Sequence, residues 1–174
     1  MRGHCILSHG FESGPDATKV TALAQAAERL GWTHERPDYT DLDARREFGE
    51  LGDVASRRQR LLDLARAASA NVPLVLAGSS LGAYISGLVS MQVPVAGLFL
   101  MAPPIRLNEA HPLDAARVPT AIIHGWHDEL IPALQVVEWA QPRSARLWLV
   151  DDSHRLAASV EASTDAFAAL LVSL

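Results

Sequence analysis

Five short runs of nearly unbroken apolar residues, interleaved with stretches of helical periodicity, leave this chain few ways to fold. The runs are Cys5-Ile6-Leu7, Leu74-Val75-Leu76-Ala77, residues 95–101, residues 120–123 and residues 147–150. They lack the polar alternation of a half-exposed strand, so they read as strands covered on both faces. Thr33-His34-Glu35-Arg36 is polar yet strand-compatible, and as a strand it belongs at a sheet edge. Between the runs, Val20, Leu23, Ala24, Ala27 and Leu30 recur at helical spacing, and Gly31 follows as a C-cap. Leu61, Leu62, Leu64, Ala65 and Ala68 form a second stripe, and Leu81, Ile85, Leu88 and Val89 a third. Pro132 reads as the first residue of a helix carrying Leu134, Val137 and Ala140, and Val160, Ala166, Phe167, Leu170 and Leu174 belong to the last helix. The order β-α-β-α-β-α-β-loop-β-α-β-α predicts a parallel sheet wrapped by helices.

The 174 residues fit one compact domain, 1–174, with no internal repeat or low-complexity linker. A chain of this size buries about 70 % of its unfolded surface and needs no covalent staples. The single cysteine, Cys5, sits in the first apolar run and reads as a small buried hydrophobe. A formal charge of −5 argues against a nucleic-acid partner. The first apolar run ends at His9-Gly10, too short for a signal-peptide core, and the longest apolar candidate, 93–105, is broken by prolines. The expectation is a soluble cytoplasmic protein without a membrane span.

Right-handed crossovers place every C-terminal strand end along one edge of such a sheet, where open α/β sheets bind ligands. Three candidate groups follow three strands. Gly78-Ser79-Ser80-Leu81-Gly82 reads as G-x-S-x-G between a strand and a helix, a nucleophile elbow that aims Ser80. The three fixed letters alone recur by chance in on the order of a few per cent of chains this long, so the setting carries the argument. Asp128 lies in His124-Gly125-Trp126-His127-Asp128 after the strand at 120–123, and His154 follows the strand at 147–150. Ser, Asp, His is the chain order this elbow architecture uses. An imidazole, with a reference pKa of about 6.5, can take the serine proton and return it, and a carboxylate holds its other nitrogen protonated. Asp151 and Asp152 are rivals for the acid, and they could instead cap a last helix beginning near residue 154. The Leu81 N–H, at a helix start, and the Phe11 N–H, in the glycine-rich turn after the first strand, are the candidate oxyanion donors, with Gly10 allowing close backbone approach.

These motifs make the chain similar to the α/β-hydrolase superfamily, and within it to small, capless bacterial serine hydrolases. The resemblance covers essentially the whole chain: the His9-Gly10 turn, Gly78-x-Ser80-x-Gly82, the segment from His124-Gly125 through Asp128 to Pro132, and the late His154. It favours Asp128 as the acid. It implies a reduced, six-stranded parallel sheet in spatial order 2-1-3-4-5-6, because relatives of ordinary size carry two more strands before the His-Gly turn. The edge this leaves could favour a homodimer. Residues 102–119 are too few for a cap, so the site should be open, with Trp126, Phe11 and Ile105 walling an acyl pocket.

The expected activity is hydrolysis of small carboxylic esters or thioesters through an acyl-enzyme on Ser80, with no cofactor. The alternatives are a non-catalytic binding protein on the same fold, or a cofactor-free lyase or perhydrolase using the same three residues. His4, His34, His111 and His127 show no metal-ligand spacing, so no metal is expected. The interleaved charges of 38–60, including Arg45, Arg46, Arg57, Arg58 and Arg60, read as a solvated face.

Overall fold

The computed structural model describes residues 2–174. Six strands form one parallel sheet: β1 (His4–Ser8), β2 (Thr33–Glu35), β3 (Leu74–Ser79), β4 (Gly97–Met101), β5 (Thr120–Gly125) and β6 (Arg146–Val150). Their spatial order is β2-β1-β3-β4-β5-β6, the order the resemblance implies. The helices are α1 (Thr18–Arg29), α2 (Thr40–Asp43), α3 (Val54–Ser69), α4 (Leu81–Ser90), α5 (Ala133–Ala140) and α6 (Val160–Ser173).

The runs in β1, β3, β4 and β5 are continuous because helices cover both faces, whereas the run in β6, at the sheet edge, is only half-buried. Alternate residues of β3 divide between two cores: Val75 and Ala77 pack beneath α1 and α6, whereas Leu74 and Leu76 pack with α3 and α4. The second face continues under α5, where Ile131, Val136 and Ala140 meet Leu100 and Ile122. Cys5 is fully buried, and that burial pushes its thiol up to about 12, so it is an inert packing group.

Several boundaries differ from the sequence reading for physical reasons. Gly31 does take the left-handed conformation after α1, at φ 77°. Pro132 precedes α5 as its N-cap, with ψ 128°, rather than forming its first turn. Helix α6 starts at Val160, not near residue 154. The intervening loop is built instead by the Asp152 carboxylate, which accepts from Ser153 N, Ala158 N and Ser159 Oγ at 2.7–3.0 Å. Buried Leu156, at φ 52°, then reverses the chain.

The solvated-face reading of 38–60 requires a larger correction. Arg60–Asp41 and Arg46–Glu12 do pair at the surface. Arg57 and Asp43, however, are 1 % and 3 % exposed and pair at 3.2 Å inside the protein. Asp53 is buried as the N-cap of α3, accepting from Ser56 N at 3.0 Å.

Candidate active site

Backbone geometry at the end of β3 presents Ser80. Its φ of 52° and ψ of −117° lie where a residue with a Cβ is strained, at a cost of order 1–3 kcal/mol. The Ser80 N–H donates to Met101 O at 2.8 Å, and its carbonyl accepts from Tyr84 N at 3.0 Å, which over-determines the turn. The flanking glycines serve through the room a missing Cβ leaves, since neither has a positive φ. A Cβ on Gly82 would lie 2.6 Å from His9 O and closer still to Ser8 O. One on Gly78 would lie 2.6 Å from Ala83 N, and closer still to the Gly82 carbonyl. They let α4 seat directly on the ends of β1 and β3.

The three candidate side chains meet. Ser80 Oγ is 2.9 Å from His154 Nε2, and His154 Nδ1 is 2.7 Å from Asp128 Oδ2. Asp128 can only accept, so Nδ1 carries the proton and Nε2 faces the hydroxyl as acceptor. The other Asp128 oxygen accepts from Leu130 N at 2.9 Å and Ile131 N at 2.8 Å. Burial alone would raise the Asp128 carboxyl. The bonds from His154, Ile131 and Leu130 outweigh it and hold the group below the usual carboxylate range.

Backbone docking sets this alignment. Trp126 N bonds Val150 O at 2.9 Å and His127 N bonds Asp152 O at 3.0 Å, so the turn after β5 lies on the turn after β6. His154 N is held in addition by Glu129 Oε2 at 3.1 Å, and Lys19 Nζ donates to Arg155 O at 2.7 Å. Nothing in the sequence sets Glu129 and Lys19 apart from other surface charges. The two rival acids serve elsewhere: Asp151 pairs with exposed His127 at 2.8 Å, and Asp152 shapes the loop.

A cavity of about 660 Å³ opens beside Ser80 and His154. Its lining includes Gly10, Phe11, Leu51 and Leu130, but neither Trp126 nor Ile105. The same docking of the β5 turn leaves Trp126 half exposed, at 51 %. Ile105 packs against the cores between α4 and α5. Leu51, in the loop before α3, and Leu130 stand where those two side chains were expected. Neither the Leu81 N–H nor the Phe11 N–H has a protein acceptor among the described residues. Both N–H groups are therefore unspent within the protein, and Phe11 lines the cavity beside Ser80. Leu81 also opens α4, where the helix dipole favours negative charge. No group of three His, Cys, Asp or Glu among the described residues could hold a metal ion. No helix among them is long and apolar enough to cross a membrane.

Two buried histidines flank the site and give it a pH signature. Burial pushes the His9 imidazole below its ordinary value, as Arg57 does, against its bond to Gly10 and the pull of Asp43 and Asp38. Burial likewise lowers His124, opposed by Ile131 O and Asp128 and reinforced by His154. In the unfolded chain both take protons as pH falls through about 6.5, whereas the folded state resists. Their contribution to stability is thus complete above that value and is lost as pH falls below it. The melting temperature should decline between pH 7.5 and pH 5.5, and His124→Asn should flatten that slope. A melting temperature that stays level or rises on acidification would contradict the burial of neutral imidazoles.

The model of the alpha/beta hydrolase domain family matches residues 1–170. A crystal structure from Xanthomonas campestris pv. campestris, provisionally assigned as a hydrolase of the α/β superfamily, is 68 % identical, with a TM-score of 0.98 over 99 % of this chain and 100 % of that one. Est1E from Butyrivibrio proteoclasticus superimposes with a TM-score of 0.79 at 17 % identity, over 98 % of this chain and 87 % of its own. A lidless α/β serine hydrolase from Xanthomonas campestris gives 0.72 at 20 % identity, over 97 % and 81 %. The last two likenesses are of fold alone. No curated protein matches the chain.

Proposed function

Because this chain belongs to the alpha/beta hydrolase domain family, we propose that it is a serine hydrolase that cleaves small carboxylic esters or thioesters through an acyl-enzyme on Ser80. The observation that carries this reading is the continuous relay from Ser80 Oγ through His154 to Asp128 at the wall of an open cavity.

In this mechanism the Ser80 oxygen bonds to the substrate carbonyl carbon while its proton passes to His154 Nε2. Asp128 keeps Nδ1 protonated and stabilises the imidazolium. The Leu81 and Phe11 N–H groups receive the negative charge that forms on the carbonyl oxygen. His154 then gives its proton to the departing alkoxide or thiolate. Water, deprotonated by the same imidazole, attacks the acyl carbon; the acyl–Oγ bond breaks, the imidazolium returns its proton to Ser80 Oγ, and the acid leaves. Every step uses protein side chains, backbone N–H groups and water, so the proposed reaction calls on no cofactor. The lone buried cysteine and the acidic balance suit a cytoplasmic enzyme.

A fluorophosphonate probe followed by intact-mass and peptide analysis tests the reading. One adduct per chain is expected, on the peptide carrying Ser80. With p-nitrophenyl esters from acetyl to octanoyl and the matching thioesters, hydrolysis of at least one member is expected, and all of these acyl groups are small against the about 300–1,000 Å³ of ordinary ligand pockets. A chain that forms no adduct and cleaves no ester would be a binding protein on this fold. Products other than the free acid would indicate a lyase or perhydrolase.

A further inference from the structure

The segment that carries the Phe11 N–H is gripped from behind by a buried polar cluster. Arg57, on α3, donates through Nη2 to His9 O and approaches Gly10 O at 3.4 Å. Its Nη1 bonds Asp43 Oδ1 at 3.2 Å, and the guanidinium lies 4.5 Å over the Tyr39 ring. The second Asp43 oxygen accepts from Glu12 N at 3.1 Å. Tyr39 N donates to His9 Nε2 at 3.0 Å, so His9 Nδ1 carries the proton and donates to Gly10 O at 2.7 Å. The backbone is thus tied at residues 9, 10 and 12. Phe11 N–H, between them, is left without a partner. The loop also lies against the nucleophile: a Cβ on Gly10 would be 3.7 Å from Ser80 Cβ.

The Gly10 carbonyl and the Phe11 N–H belong to one peptide group. Donors on the carbonyl fix the plane of that amide and polarise it, which strengthens its N–H as a donor. A buried ion pair is a poor device for stability alone, because desolvation costs several kcal/mol per ion and apolar residues of similar volume usually do as well. Here the pair spans α2, α3 and the turn after β1, and its free valences end on the residues flanking Phe11.

We propose that Arg57, braced by Asp43, is a positioning residue for the oxyanion-binding peptide: it holds the Gly10–Phe11 amide so that the Phe11 N–H faces the oxygen that becomes negative at Ser80. This rests on the acyl-enzyme reading above. Sequence gave no hint of it, since Arg57 and Asp43 sit among a run of surface charges.

The test compares Arg57→Met, Arg57→Lys and Asp43→Asn with the parent protein on p-nitrophenyl acetate, together with affinity for a trifluoromethyl ketone, which forms an oxyanion when Ser80 adds to it. Removing one oxyanion donor costs about 10²–10³ in kcat. Misdirecting one in Arg57→Met should lower kcat about 10²-fold with KM within about threefold, on that scale. Ketone affinity should weaken by a similar factor. Arg57→Lys, which keeps the charge but cannot span His9 O and Asp43 together, should recover part of the loss. Asp43→Asn keeps volume but trades one of its two accepting oxygens for an NH₂, so either Arg57 Nη1 or Glu12 N loses its acceptor. It serves if Arg57→Met does not fold, and it should lower kcat and ketone affinity together. Folded variants with parental kcat and ketone affinity, or with a change in KM alone, would overturn the proposal. A parent protein that cleaves no ester and forms no adduct would instead overturn the acyl-enzyme reading.

Discussion

Ser80→Ala should lower ester hydrolysis by at least about 10⁴-fold and abolish fluorophosphonate labelling, while leaving the fold intact. The substitution removes one oxygen whose only side-chain bond is to His154 Nε2. Alanine keeps a Cβ, so it inherits the same strained φ of 52° and the same backbone bonds to Met101 and Tyr84. The melting temperature should therefore stay close to that of the parent, and lost turnover can be read as lost chemistry. Residual hydrolysis would come from the oxyanion donors and binding alone. Persistent labelling at another residue would show that the nucleophile lies elsewhere.

Asp128→Asn should cost about 10⁴-fold in kcat, although the side chain changes by a single atom, because it reverses the imidazole tautomer. Two backbone donors, Leu130 N and Ile131 N, already point at Oδ1. An asparagine must place its carbonyl there and turn its NH₂ toward His154 Nδ1. Nδ1 then becomes the acceptor, and Nε2 carries the proton toward Ser80 and can no longer take one. Asp151→Asn supplies the contrast: Asp151 pairs only with exposed His127, so its loss should leave kcat within about twofold, as is usual for surface pairs. Activity of Asp128→Asn within tenfold of the parent would mean that His154 is oriented by other groups.

The buried centre of the sheet was legible because its chemistry is uniform. Strands β3, β4 and β5 lie between two helical layers, so nearly every residue is apolar. β2 was readable only as an edge, and it is one. The convergence of Ser80, Asp128 and His154 was legible because each follows a separate strand and chain order fixes their relation. Other features were hidden for identifiable reasons. Helix α3 begins at Val54, seven residues before the first leucine of its stripe, because its first two turns are polar and include buried Arg57. That arginine looks like its neighbours, since its partner lies fourteen residues back and nothing local marks the pairing. Trp126 misled because exposure was decided by the docking of one turn on another. The start of α6 was misplaced because a side chain, Asp152, and one left-handed leucine shape nine residues of loop.

The segment between β4 and β5 has a kinetic consequence. Residues 102–119 form no helix. They return through a short antiparallel bridge between Arg106 and Pro112, and Leu113 and Ala115 are buried against the core. The walls of the cavity come instead from strand ends, helix starts and braced turns. Under the proposed acyl-enzyme reaction, no helical cap has to move for substrate to enter or product to leave, so kcat should be unchanged by added viscogen, which slows lids and hinges in gated enzymes. A kcat that falls in proportion to viscosity would place a moving segment over the cleft.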